Sequence, residues 1–175
     1  MVVGGVILVV LAGLLLWYHI STSPHVASTS AIDGVQCQDS TTFTNKDHIY
    51  LQILYQQTPV PVGANIGVRK SCSYWLNTED NSGVIYAETP PQSTGTTFTL
   101  GQFFAVWGQP LSSSRVATIS PGNGQQLRIW VNDKRYHGNP AGIKLRSHDV
   151  IVIQVGPPYQ LPPPSYTWNK SRYPH

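Results

Sequence analysis

The chain has 175 residues, a formal net charge of +3, and only 11% charged residues against 15 Gly and 14 Pro. Its Lys and Arg are scattered, with no basic run interleaved with aromatics, which excludes nucleic acid as the expected partner. Few charges and frequent Gly and Pro point away from a helical bundle and toward a β-rich, loop-rich module.

Residues 2–18 carry no charge. As a helix they reach about 25 Å, enough to span the hydrocarbon core. Trp17 and Tyr18 fall where an interfacial aromatic belt lies. Gly4, Gly5, Ala12 and Gly13 are small enough to let another helix approach closely in lipid. A cleaved signal peptide would need a basic leading region, and no Lys or Arg precedes Lys46. The expectation is a transmembrane anchor at residues 1–20, single-pass in the cell inner membrane, with a cytoplasmic N-terminus. A polar linker follows at 21–34, in which His25 is a solvated residue. An extracytoplasmic, periplasmic domain spans 35–156, and a Pro- and aromatic-rich tail runs from 157 to 175.

Cys37 and Cys72 are the only cysteines. A disulfide between them suits an anchored domain outside the cytoplasm. It would close a loop of about 35 residues and contribute roughly 3–4 kcal/mol on the chain-entropy estimate. A two-cysteine metal site would need two further good ligands, which neither neighbourhood offers.

Residues 48–55, HIYLQILY, are aromatic or branched at most positions and predict a strand. Two prolines in 56–63 predict the end of that ladder. A short strand is expected at 65–68. Tyr74, Trp75 and Leu76 predict another strand, 77–83 a polar turn, and Val84, Ile85 and Tyr86 its partner. Asn77 and Glu79, two apart, point off one face. In 97–110, Thr99 is a helix N-cap, and Leu100, Phe103, Phe104 and Trp107 share a core face. Gly108 and Pro110 end that helix. A loop is expected at 112–124, a strand at 126–131 with a hairpin turn at Asn132–Asp133, and a central apolar strand at 149–155. The tail cannot be a helix or central strand. It predicts an extended segment with Tyr159, Tyr166, Trp168 and Tyr173 as aromatic anchors for a partner. The fold class expected is α+β, mainly β, with one compact domain and a short amphipathic helix.

The segments TFTLGQFFAVWGQPLS, WLNTEDNSGVIYAETP and VNDKRYHGNP with IKLRSHDVIVIQVGPP resemble an uncharacterised family of prokaryotic membrane-anchored proteins. Members commonly read HxHxH in the early strand, WLHTH before the polar turn and HxESP after it. The resemblance covers about 31–168. It implies a His-rich metal site in typical members, from which this chain departs. The early triad reads Lys46, His48, Tyr50. The later pair reads Asn77 and Glu79, and the last His reads Tyr86, with Glu88 kept. Both cysteine positions match.

The ligands left for a metal are His48, Glu79, Glu88 and His148, while Lys46 opposes a cation by charge and Tyr50 and Asn77 are weak ligands. The simpler expectation makes His48 and His148 hydrogen-bonded strand-edge residues. Likewise, Glu79, Asp80 and Asn81 are simpler as a solvated Asx turn than as a hard-cation site. No nucleophile elbow, phosphate loop or dinucleotide fingerprint is present. The expected function is therefore a non-catalytic accessory subunit, without cofactor, of a larger energy-transducing membrane complex, respiratory or photosynthetic. Its partners are other subunits and the lipid bilayer. The first alternative is a periplasmic copper- or zinc-binding protein. The second is a hydrolase using Glu79 and Glu88 as a carboxylate pair.

Overall fold

The computed structural model describes residues 31–174. The expected anchor lies outside the described residues, with Gly4, Gly5, Ala12, Gly13, Trp17 and Tyr18, and so do His25 and most of the linker. Among the described residues no helix is long and apolar enough to cross a membrane.

The domain is mainly β with one α-helix, as the composition predicts. In chain order its main elements are β1 (Cys37–Gln38), β2 (Asn45–Tyr55), β3 (Thr58–Val60), β4 (Ser73–Tyr74), β5 (Leu76–Asn77) and β6 (Val84–Thr89). There follow α1 (Leu100–Trp107), β7 (Leu111–Ser112), β8 (Arg115–Val116), β9 (Gln126–Val131), β10 (Lys134–Tyr136) and β11 (Val150–Gly156). The main sheet runs β10-β9-β11-β2-β6-β5, with β3 also paired to β2. Only β11 and β2 pair in parallel. Burial on both faces explains the near-continuous apolar run of β11, which lies between β9 and β2.

One face of the sheet forms the core. Ile49, Leu51 and Ile53 of β2 are buried in one cluster with Leu100, Phe103 and Phe104 of α1. The helix has both ends fixed by its sequence. Thr99 and Gln102 form a reciprocal capping box, and Gly108 takes the left-handed conformation (φ 71°) that closes the last turn. The β9–β10 turn has Asn132 and Asp133 at φ 49° and 63°, as a two-residue hairpin requires.

Three local expectations give way. Residues 56–63 do not end the ladder. Gln56 and Gln57 adopt positive φ (48° and 69°) and fold β3 back onto β2. Glutamine gives no turn signal, and Pro59 is tolerated because β3 lies off the main path of the sheet. No strand forms at 65–68; that stretch is a turn in which Val68 bridges Ser73. Within the loop expected from 112, β7 and β8 make a small antiparallel pair.

Cys37 and Cys72 are bonded to each other, with their Cα atoms 5.5 Å apart. The bond ties β1 to the residue before β4, its partner strand.

Among the described residues no helix packs on the second face of the sheet. The tail covers it. Gln154 donates to the carbonyl of Gln160 at 3.0 Å and accepts from its N–H at 2.8 Å. Tyr159 lies under the Arg128 guanidinium, 3.9 Å away. Tyr166 stacks on Tyr50 with ring centres 3.9 Å apart. The Trp168 indole donates to the His148 carbonyl at 3.1 Å, and Arg172 pairs with Asp80 at 2.8 Å. The extended tail is thus a strap from β9 across β11 and β2 to the turn before β6. Its aromatic rings turn inward onto the chain's own sheet.

Candidate functional site

Strand register decides which side chains meet. Lys46 lies opposite Glu88, His48 opposite Tyr86, and Tyr50 opposite Val84, while Asn77 lies opposite Tyr86 on its other side. Side chains alternate along a strand, so Lys46, His48, Tyr50, Asn77, Tyr86 and Glu88 share the face under the strap. Glu79 and His148 join them from adjoining turns.

The interactions there are internally satisfied. The Lys46 ammonium lies 2.7 Å from Glu88 Oε1. Asn77 Nδ2 donates to Glu88 Oε2 at 3.0 Å and to the Tyr74 carbonyl at 3.1 Å. The Glu88 side chain is 8% exposed and that of Lys46 51%. The ion pair is therefore buried at its acidic end and screened at its basic end. We expect Lys46→Ala to cost about 1–2 kcal/mol, because an almost buried carboxylate then keeps one donor. Adding Glu88→Gln should recover most of that loss in chemical denaturation.

Glu79 lies beside the Tyr86 hydroxyl. Burial first, and the neighbouring Glu79 second, push it well above the ordinary tyrosine range. Burial likewise raises Tyr166, to about 12, with Tyr173 beside it contributing. The Tyr173 ring is 3% exposed and lies 5.0 Å from His48 and 6.4 Å from Tyr86. The His148 ring is 6.4 Å from His48, and its Nε2 lies 3.3 Å from the Tyr173 carbonyl. Asp80 accepts from the Ser82 N–H at 2.9 Å, an Asx turn, and its second oxygen takes Arg172.

His48 differs from its neighbours. It is 4% exposed, and its Nδ1 is buried with no hydrogen-bond partner among the described residues. Burial, then the nearby His148, lower its pKa from an ordinary 6.5. The unfolded chain thus binds a proton more readily than the folded one. Stability from this group is complete above pH 6.5 and is lost as pH falls from there through the lower folded value. Asp39 and Asp80 have lowered pKa values, so their contributions disappear only below about 3.8. Denaturation at pH 7.5 and 5.5 should therefore show a loss in the parent protein that His48→Gln largely removes. An equal loss in both would exclude His48 as its source.

No family model, curated protein or solved structure matches this chain.

Of the four ligands that remained for a metal, the fold brings His48, Glu79 and Glu88 to one sheet face and His148 beside it. It does not gather them into a donor set. Among the described residues no three His, Cys, Asp or Glu side chains converge as metal ligands do. Glu88 is committed to Lys46 and Asn77. The sequence alone missed the Lys46–Glu88–Asn77 group and the inward seat of Tyr173. Opposite charges 42 positions apart become neighbours only through the β2–β6 register.

A cleft of about 830 Å³ opens beside this group, with Lys46, His48, Glu79, Tyr86, Arg172 and Pro174 in its walls.

Proposed function

We propose that this protein is a non-catalytic, membrane-anchored accessory subunit whose domain lies on the periplasmic side of a larger, energy-transducing membrane complex. One observation carries the non-catalytic part. The Lys46 ammonium occupies the position on Glu88 that a bound cation would take, 2.7 Å from its oxygen. A fixed ammonium repels a metal cation and neutralises the carboxylate at once. Asn77 fills the other oxygen. The same group disfavours the hydrolase reading, because Glu88 is held by Lys46 and Asn77. The disulfide supports an oxidising compartment.

Attachment to the complex is assigned to the apolar span, through the small residues Gly4, Gly5, Ala12 and Gly13, and to the outward side of the tail. That side presents Leu161, 63% exposed, beside Pro162. The rings of Tyr159, Tyr166, Trp168 and Tyr173 hold the tail in the shape it offers.

Elemental analysis of the purified chain, with co-purification in mild detergent, tests this proposal. The expected result is under about 0.1 copper or zinc per chain and stoichiometric membrane subunits alongside. One metal per chain, released by His48→Ala, would replace the accessory reading with the metal-binding one.

A further inference from the structure

We propose that the first half of β2 receives an extended segment of a partner polypeptide, added as a further strand along its open edge. The directions of the backbone groups carry the argument. Leu51 N–H bonds to the Gly83 carbonyl, so odd-numbered β2 residues point toward β6. Tyr50 N–H bonds to the Asp149 carbonyl and the His48 carbonyl accepts from His148 N–H, so even-numbered ones point toward β11. But β11 begins at Val150, opposite Tyr50. The chain before it turns away at residues 146–149, where Asp149 N–H bonds to the Arg146 carbonyl.

The sheet therefore parts at this point. Lys46 N–H, Lys46 C=O and His48 N–H face the gap, and no described residue supplies them a backbone partner. A donor, an acceptor and a donor along one extended edge are complementary to another extended peptide backbone. There is room for one. The 830 Å³ cleft is lined by the five consecutive residues 44–48, together with residues 94–96 and 171–172. Five residues of strand extend about 16 Å.

His48 supplies a second, independent observation. Its buried Nδ1 has no partner among the described residues, and the residue is one of those that line the same cleft. Alternate side chains of an added strand point to this face. A serine, threonine or asparagine there would give that nitrogen the partner it lacks. The ligand class is thus an extended peptide carrying a hydrogen-bonding side chain at one position. This interface lies on the domain itself, apart from the span and tail attachments, and stands whether or not those hold.

The test selects nine-residue peptides from a displayed random library on the full chain in detergent, then uses the recovered synthetic peptide as probe. Lys46→Pro removes the outward N–H without touching the bonds to β6. Lys46→Gln keeps the N–H and removes only the ion pair. We expect the peptide to bind Lys46→Gln like the parent and Lys46→Pro about tenfold more weakly, in line with one or two lost net hydrogen bonds. Hydrogen exchange on the unmodified chain needs no variant to fold. The amides of Lys46 and His48 should slow about tenfold when peptide is added. Failure to recover any peptide, equal binding to Lys46→Pro, or no slowing at these amides would each overturn the proposal. Slowing that grows with protein concentration without peptide would replace the partner with a second copy of this chain.

Discussion

Tyr173→Ala should be the most damaging single substitution in the strap, costing about 3 kcal/mol. The ring is 3% exposed and lies against His48, Tyr86 and Trp168, with centre distances of 5.0, 6.4 and 5.4 Å. Removing a buried aromatic ring loses its transfer free energy and leaves a cavity beside a polar group. The loss has a ceiling. Once it exceeds the docking free energy of the last strap residues, the strap lifts and water enters instead. Lifting has its own signature, because burial is the largest influence lowering the His48 pKa. NMR titration of His48 in the variant should then show its pKa rising back toward 6.5. Tyr159→Ala serves as the comparison. That ring is only half-buried under Arg128, so its removal should cost about 1 kcal/mol and leave His48 unchanged. Equal losses for the two variants would mean that the strap does not rest on Tyr173.

Opening the Cys37–Cys72 bond should cost about 3–4 kcal/mol, by reduction or by replacing both residues with serine. The bond spans 35 positions, and the loop it closes contains all of β2 and β3. In the unfolded chain the cross-link removes much of that loop's freedom, so breaking it stabilises the unfolded state. The strands that the bond ties, β1 and β4, are two residues each. Guanidinium denaturation should give a lower midpoint after reduction, and a steeper dependence as the unfolded chain expands. An unchanged midpoint would show that the short β1–β4 pairing suffices without the bond.

Several features were legible in the sequence because their causes are local. The helix at Leu100–Trp107 carries its own stop signals in Thr99, Gln102 and Gly108. The Asn132–Asp133 turn and the buried β11 are equally self-announcing, and two cysteines admit one pairing. Gln56 and Gln57 carried no such signal. Their positive φ values are held by the pairing of β3 with β2, a tertiary contact overriding weak local preference.

The candidate site divides along the same line. That Lys46 disfavours a cation, and that Asn77 and Tyr50 are weak ligands, follow from residue identity alone. Register decides the rest. Only the β2–β6 alignment places Lys46 on Glu88, and only the β5–β6 alignment brings Asn77 to its other oxygen. The proline-rich tail declared itself extended, since proline cannot continue a helix or donate to a central ladder. Where its rings would rest was not in the tail. That depended on a sheet face that no described helix covers, whose Tyr50, His48 and Tyr86 gain more from burial under Tyr166 and Tyr173 than from contact with water.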